Sequence, residues 1–322
     1  MTNLTVSEHF QFEMVGDGVY AAFAKATGVA VSNAGVVDLG EKVVIFDTFL
    51  SPTVAQQLRQ GVEQSLGKPI RFVVNSHHHV DHVGGNSVFA GQADLISSVA
   101  SKQLISNSNE LNDYRQNART QLESLLTKSQ KPGKGTKQLS LGAEIRYYEA
   151  VIAVLPELQQ LVSPSIAFEN RLIIEGSKRT VEVINYGGGH SQSDTILYVP
   201  DAKIVFTGDL LTVGQHPYLA DGDPGEFDRI LNQINGLSPQ YLIPGHGPIA
   251  EIDDLRIQRQ YITMLTEIAM REIVYGAADS NDAAQRAANT PIPPKFANWE
   301  FSSYFHENLL FLYRRLLAAY AD

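Results

Sequence analysis

The sequence of 322 residues predicts an α/β protein in which two stacked β-sheets are covered on their outer faces by helices. Two strand-rich blocks, at residues 19–75 and 172–243, are separated by a long stretch with helical periodicity. Helical periodicity also follows the second block to the end of the chain. Helices between and outside two strand-rich halves are typical of such a layered arrangement.

The first block contains short apolar or alternating runs with glycine-containing turns between them. Residues 19–23, 29–38 and 43–47 are predicted strands. Residues 52–66 are predicted to form a helix, because apolar residues recur there every four positions. A further strand at residues 70–75 leads directly into a cluster of histidines.

The second block is predicted to begin with a hairpin around residues 176–178. Its other predicted elements are strands at 181–185, 195–199, 204–206 and 241–243 and a helix at 226–234. Together the two blocks and their helices form a predicted domain over residues 1–252.

The stretch between the blocks is long, since 108 positions separate His82 from His190. We interpret residues 98–162 as a helical insertion of two helices, divided at residues 131–135. A long insertion that follows a cluster of polar residues is often a lid or a pocket wall. A contact between subunits is the alternative interpretation.

The C-terminal segment, residues 253–322, is also predicted to be helical. An apolar stripe with aromatic bulk is typical of a helix packed on its own domain or at a homodimer interface. The stripe consists of Phe305, Leu309, Tyr313, Leu316 and Tyr320.

The run from His77 to His82, with the sequence HHHVDH, contains four of the nine histidines of the chain. Imidazole and carboxylate are common ligands of zinc and related metals. Three later motifs each follow an apolar run and place His190, Asp209 or His246 beside glycine. Side chains on loops after strands meet at one edge of a sheet, so the sequence predicts a metal site there.

The spacing divides the predicted ligands into two sets. His77 and His79 are two positions apart at the end of a strand and point to the same side, with His190 as the third ligand. Asp81 and His82 emerge where the chain turns and serve a second metal together with His246. His78 is expected to point away.

These four motifs, in this order, resemble those of the metallo-β-lactamase-fold superfamily, and the resemblance covers roughly residues 10–250. It implies a four-layer αβ/βα sandwich and assigns Asp209 the role of a ligand that bridges two metal ions. Asp47 matches the family's buried aspartate near the histidine motif, and Asp194 is a second candidate for orienting a ligand.

The expected function is that of a metal-dependent hydrolase that cleaves an ester, lactone, thioester or amide bond. Two zinc ions would hold a bridging hydroxide as the nucleophile, with iron or manganese as other candidate metals. Asp81 or Asp209 would carry the proton to the leaving group.

At several positions the chain departs from the patterns of individual families within this superfamily. Asp209 stands where β-lactamases of this fold carry Cys or Ser, and Thr212 stands where acyl-homoserine lactonases carry Tyr. Gly247 and Pro248 replace the aromatic residue of glyoxalase II, and His79 replaces the Glu of flavin-partnered members. A mononuclear iron dioxygenase, a β-lactamase-like activity and a non-catalytic binding protein remain alternatives.

Composition restricts the partners. The net charge of −10 argues against nucleic acid, and no apolar stretch is long enough to span a membrane. The absence of cysteine excludes disulfides and thiolate sites and fits a cytoplasmic protein. We expect a small, partly hydrophobic substrate. His216, seven residues after Asp209, is expected to be structural or to contact substrate.

Overall fold

Two β-sheets form the centre of the protein in the computed structural model, which describes residues 7–107, 109–130, 136–274 and 280–321. The strands are β1 Phe10–Gly16, β2 Val19–Ala24, β3 Ala34–Asp38, β4 Val43–Phe46, β5 Ile70–Val74, β6 Asp94–Ser98, β7 Ile166–Phe168, β8 Arg171–Glu175, β9 Thr180–Gly187, β10 Asp194–Val199, β11 Ile204–Thr212 and β12 Tyr241–His246. The helices are α1 Pro52–Leu66, α2 Val80–Val83, α3 Val99–Ile105, α4 Glu110–Ser129, α5 Thr136–Val154, α6 Pro224–Gly236, α7 Ile252–Val274, α8 Ser280–Asn289 and α9 Ser302–Ala321, with short 3₁₀ helices at Gly84–Val88 and Pro294–Phe296.

The first sheet has seven strands in the order β1 to β7, and the second has five in the order β12-β11-β10-β9-β8. In the first sheet β1 to β4 are antiparallel neighbours, whereas β4 to β7 run parallel. In the second sheet only β11 and β12 are parallel. The carboxyl ends of β5, β11 and β12 carry the histidine and aspartate motifs.

Successive side chains of a strand pack into different layers of the core. In β2, Val19 and Ala21 pack between the sheets, whereas Tyr20 and Ala22 pack on the helix side. Helix α1 covers the first sheet, and helices α6, α7 and α9 cover the second. The predicted four-layer αβ/βα sandwich is therefore confirmed.

Most predicted elements agree with the structure, and helix α1 has the predicted bounds. It begins after Ser51, whose hydroxyl accepts a hydrogen bond from the Val54 amide, and ends at Gly67, which has a positive φ of 62°. The predicted strand at 29–38 is wrong in its first half, because β3 begins only at Ala34. Val31 has a φ of 73° and turns the chain there. The strands β1, β6 and β7 were not predicted from the sequence.

The predicted insertion contains three described helices, α3 to α5, rather than two. Its dividing segment at 131–135 lies outside the described residues. Helices α4 and α5 pack against each other and against Leu50 and Val80, beside the histidine motif. Glu157, after α5, accepts a hydrogen bond of 2.8 Å from the Ser51 hydroxyl and thereby links this region to α1.

Phe305, Leu309 and Tyr313 of the predicted C-terminal stripe are buried in the core of the second sheet. Leu316 is partly buried there, and the Tyr320 side chain lies outside the described part. None of the described helices combines the length and apolar composition that crossing a bilayer would require.

The segment before β3 joins the two halves of the sandwich. The Asn33 side-chain amide donates to the carbonyl oxygens of Pro244 and Gly247, each at 2.9 Å. The Asn33 backbone amide donates to the Gly245 carbonyl at 2.8 Å. One residue from the first half therefore holds the loop that carries His246.

Candidate metal centre

The seven predicted ligands converge from separate parts of the chain. His77 and His79 follow β5, Asp81 and His82 lie on the short helix α2, and the other three come from the second half of the chain. His190 lies between β9 and β10, Asp209 lies in β11, and His246 ends β12. The parallel pairing of β11 with β12 brings the last two to the same sheet edge.

One group of ligand atoms comes from His77, His79, His190 and Asp209, which can offer atoms that all lie within 4.8 Å of one another. The His190 Nε2 atom is 3.1 Å from His79 Nδ1 and 3.5 Å from Asp209 Oδ2. This group contains the predicted first set together with the carboxylate that the family resemblance assigned as a bridge.

A second group consists of Asp81, His82 and His246. The His246 Nε2 atom lies 3.3 Å from Asp81 Oδ2 and 3.4 Å from Asp209 Oδ2. The other Asp209 oxygen, Oδ1, is 3.1 Å from His82 Nε2. Asp209 therefore faces both groups.

Each of the five imidazoles has its second nitrogen beside an oxygen atom. The pairs are His77 Nδ1 with Ser76 Oγ at 2.8 Å, His79 Nε2 with Asp221 Oδ2 at 3.1 Å, His82 Nδ1 with Asp47 Oδ2 at 2.9 Å, His190 Nδ1 with the Tyr218 carbonyl at 3.0 Å and His246 Nδ1 with the Val31 carbonyl at 3.1 Å. An N–H donated to such an oxygen leaves the inner nitrogen of a neutral ring with a free lone pair, as a metal ligand requires.

Three buried atoms that face the centre make no hydrogen bond among the described residues. They are His77 Nε2 and the pair His82 Nε2 and Asp209 Oδ1, which lie 3.1 Å apart but outside hydrogen-bond geometry. Buried polar atoms without partners are rare, and a bound cation is one of the explanations for them. The nitrogen and oxygen donors thus fit a divalent metal such as zinc.

Two glycines make room for side chains of the centre, Gly245 for Asp209 and Gly208 for Ser76. A Cβ on Gly245 would lie 1.9 Å from Asp209 Oδ1, and a Cβ on Gly208 would lie 2.6 Å from the Ser76 Cβ. Gly208 also has a positive φ of 53°. The glycines next to the ligands are therefore required by the close packing of the centre.

Asp47 is buried beneath the histidine motif, in the place that the sequence analysis expected. Its carboxylate accepts hydrogen bonds of 2.7 Å from both the amide and the hydroxyl of Ser76, in addition to its contact with His82. Asp47 has a positive φ of 61°, which is costly for a residue other than glycine. It holds both the loop before His77 and the ring of His82.

Asp194 acts on the backbone around His190. Its carboxylate accepts hydrogen bonds of 2.8 Å from the amides of Gly189 and His190 and 2.7 Å from the Ser191 hydroxyl. Asp194 therefore shapes the loop that carries His190 rather than contacting the ring.

The opposite charges of the centre change the pKa values of its groups. Burial would lower the pKa of His246, but Asp209 and Asp81 outweigh it and raise this pKa to about 10. Burial would raise the pKa of Asp81, but His82 and His246 lower it to about 2. The pKa of Asp209 is held well below its usual range against its burial, chiefly by His246 and His82. Without metal, the centre thus retains protons between its carboxylates.

His78 differs from expectation. It was expected to point away, but its buried ring lines the cavity beside the centre, with Nε2 3.4 Å from Asp221 Oδ2 and 3.9 Å from Glu110 Oε1. Burial lowers the pKa of His78 to about 3, helped by the neighbouring His79. His78 is a neutral part of the cavity wall.

His216 is part of an aromatic core at the end of the cavity. Its Nδ1 atom is 2.9 Å from the Tyr261 hydroxyl, and its ring packs against Trp299 and Phe305. Its Nε2 atom is buried without a hydrogen-bond partner among the described residues, although the ring contributes to the cavity lining. These contacts support the structural interpretation of His216.

A cavity of about 680 Å³ opens beside the ligand atoms. Helices α4, α5 and α9 line it, so the predicted insertion does contribute to its wall. Three residues at the site were not predicted from the sequence, namely Asp221, Ser76 and Glu110. The position of Ser76 immediately before His77 could have indicated its role. Asp221 and Glu110 lie outside the motifs and reach the site only when the chain folds.

The model of the metallo-β-lactamase superfamily matches residues 27–246 of this chain. Among characterised relatives, the alkyl/aryl-sulfatase BDS1 of Saccharomyces cerevisiae is 22% identical over 217 residues, which cover 63% of this chain but only 30% of the sulfatase. The metallo-β-lactamase type 2 of Bacteroides fragilis is 19% identical over 274 residues, covering 82% of this chain and 90% of that protein.

The fold is also similar to that of a solved structure, the metallo-β-lactamase from Pontibacter korlensis. That structure has a TM-score of 0.57 and 17% sequence identity, and the match covers 79% of this chain and 99% of the other. At this identity the similarity establishes the fold alone.

Proposed function

The chain belongs to the metallo-β-lactamase superfamily, and we propose that it is a hydrolase that uses two zinc ions to cleave an ester, lactone, thioester or amide bond. The observation that carries this proposal is the double set of ligand atoms around Asp209, with the outer nitrogen of every imidazole beside an oxygen. His77, His79 and His190 would hold one ion, and Asp81, His82 and His246 would hold the other.

Asp209 would bind both ions, since Oδ1 lies near His82 and Oδ2 lies near His190 and His246. When bound, two zinc ions lower the pKa of water toward about 7 and polarise the scissile carbonyl. A carboxylate would then transfer the proton of this water to the leaving group. Asp81 contacts His82 and His246 through Oδ2, so its Oδ1 atom could accept the proton and donate it to the leaving group. Asp209 is the alternative proton carrier.

The donor atoms support zinc as the first candidate, with iron or manganese next. Two divalent ions carry four positive charges, of which Asp81 and Asp209 remove two. The remaining positive charge would attract an electron-rich carbonyl into the cavity.

A mononuclear iron dioxygenase that used only His77, His79 and Asp209 is less well supported. It would leave Asp81, His82 and His246 without a purpose, although these residues are buried or nearly so and His82 has its own supporting carboxylate, Asp47.

Cleavage of β-lactams or sulfate esters, which the names of the relatives suggest, is also less well supported. β-Lactam antibiotics and alkyl sulfates are anions, and a cationic side chain beside the centre would favour their binding. Among the described residues that line the cavity there is neither Lys nor Arg.

Metal analysis combined with a substrate screen tests the proposal. Protein freed of metal with a chelator should take up about two zinc ions per chain and gain hydrolytic activity toward at least one lactone, thioester, aryl ester or amide. One iron with oxygen consumption would support the dioxygenase instead, and full activity with a single zinc would contradict the binuclear centre.

A further inference from the structure

The charged side chains on the cavity wall outside the ligand cluster all have the same sign. They are Glu110, Asp113, Asp221 and Glu307. Two of them come from α4, one from the loop before α6 and one from α9. Neither Lys nor Arg is found among the described residues that line the cavity. Of the four carboxylates, Asp221 is paired with His79 at 3.1 Å. Burial raises the pKa of Glu307, while the nearby Lys128 lowers it. The electrostatic potential of such a cleft favours a cation.

Aromatic rings form a continuous second surface, which we call the aromatic wall. It consists of Tyr148, Tyr147, Phe301, Tyr304 and Tyr218, with successive ring centroids 5.0, 5.2, 5.4 and 5.4 Å apart. All five residues line the cavity. Aromatic faces combined with carboxylates are the surroundings in which proteins bind ammonium groups.

The end of the aromatic wall lies next to the candidate metal centre, because the Tyr218 carbonyl contacts His190 Nδ1 at 3.0 Å. A ligand in the cavity would therefore meet the candidate metal centre, aromatic rings and carboxylates.

We propose that the cavity selects substrates that carry a cationic nitrogen, as a protonated amine or a quaternary ammonium group, close to the bond that is cleaved. The aromatic wall and Glu307 would contact the cation while the scissile carbonyl faces the ligand cluster. The proposal rests on the proposed hydrolase function, since it names the substrate class of the same cavity.

A binding measurement tests the selection without catalysis. Choline and its neutral carbon isostere, 3,3-dimethylbutan-1-ol, have the same shape and differ in charge. Titration calorimetry with the zinc-loaded protein should show choline binding about tenfold more tightly. Equal binding, tighter binding of the neutral alcohol or no detectable binding of either would overturn the proposal.

A kinetic comparison tests the same selection during turnover. The probes are acetylthiocholine, 3,3-dimethylbutyl thioacetate and 3-(acetylthio)propanoate, which are cationic, neutral and anionic. The chain has no cysteine, so a thiol reagent measures only the released product. If another bond type is the one cleaved, the same three groups are attached to it. We expect kcat/KM to decrease from the cation to the anion, and the reverse order would overturn the proposal.

Variants that replace a cavity carboxylate by its neutral amide show which residues cause the preference for a cation. Glu307→Gln and Glu110→Gln should each lower the preference for the cation about fivefold and leave zinc content unchanged. Glu169→Gln, an exposed change of equal charge away from the cavity, should have no effect. Equal loss for all three variants would indicate a general effect of net charge and would contradict the proposal. A retained binding preference without hydrolysis of any probe would overturn only the proposed function.

Discussion

The ligand cluster and the cavity wall are built in different ways. Each imidazole of the ligand cluster has an inner nitrogen at the centre and an outer nitrogen beside an oxygen. Most side chains of the aromatic wall are only partly buried and lie on helices and loops outside the two sheets. This difference implies that the proposed chemistry would depend on fixed positions, whereas the proposed substrate selection would depend on surfaces that can change without disturbing the centre.

The largest effect should come from the residue shared by both groups of ligands. Asp209→Asn keeps the size of the side chain but removes its charge, and we expect zinc content to fall and kcat/KM to drop more than ~100-fold. Elemental analysis and kinetics measure both. Gly245→Ala should act similarly, since its Cβ would lie 1.9 Å from Asp209 Oδ1.

Asp253→Asn, on an exposed residue of α7, is the matched control and should behave like the wild type. An Asp209→Asn variant that retains both metals and normal turnover would show that Asp209 does not bridge.

Without metal, protonation of the histidines and aspartates of the centre should make the stability of the fold depend on pH. Because the pKa of His246 is raised to about 10, its protonated form stabilises the metal-free fold. This contribution to stability is complete below about pH 6.5 and is lost as the pH rises toward 10. The lowered pKa of Asp81, about 2, gives stability above about pH 3.8 that is lost as pH falls toward 2. Metal binding requires deprotonated ligands and strengthens with pH.

We therefore expect the Tm of the chelator-treated protein to fall from pH 6.5 to 9, while the difference between zinc-loaded and metal-free Tm increases. Thermal denaturation with and without zinc at each pH measures this. A difference between the zinc-loaded and metal-free Tm that stays constant from pH 6.5 to 9 would contradict the displacement of protons by metal.

Removal of a supporting carboxylate should have a smaller effect than removal of Asp209. Asp47→Ala deletes the acceptors of His82 Nδ1 and Ser76, and we expect zinc affinity or kcat/KM to fall by about 10–100-fold. Competition with a chelating dye measures the affinity. If this variant loses more than Asp209→Asn, Asp47 does more than orient ligands.

The smallest effect on the centre should come from the aromatic wall. Tyr304→Leu removes the ring between Phe301 and Tyr218, and KM for an ester that reaches this wall should rise about fivefold. Zinc content should stay at the wild-type value. Loss of zinc in this variant would show that wall and centre are not independent.

The convergence of the seven candidate ligands could be predicted from the sequence, because they occur in compact motifs in or after strands. The strands β2, β4 and β5 and helix α1 were predictable for a similar reason, since their apolar patterns are local. The layered arrangement followed from the order of the predicted elements and from the family resemblance. The division of the seven residues between two metals remains a prediction.

The cavity wall could not be predicted, because its members are distant in sequence. Glu110 and Glu307 are ordinary surface charges in their own helices and face one cavity only after the helices pack. The predicted pocket wall from the insertion did not specify its chemistry for this reason, and polar residues of α4 also line the cavity. The strand start at Val29 was wrong because the pattern did not reveal the positive φ of Val31.

The contacts of Asn33 with Pro244 and Gly247 join residues 211 and 214 positions apart in the chain. Contacts of such sequence separation form slowly, because a long loop must close before they are made. All seven candidate ligands, from His77 to His246, lie within the segment that these contacts close. Because Asn33 holds the loop that carries His246, the second set of ligands would be complete only after this closure, and uptake of the second ion would report it.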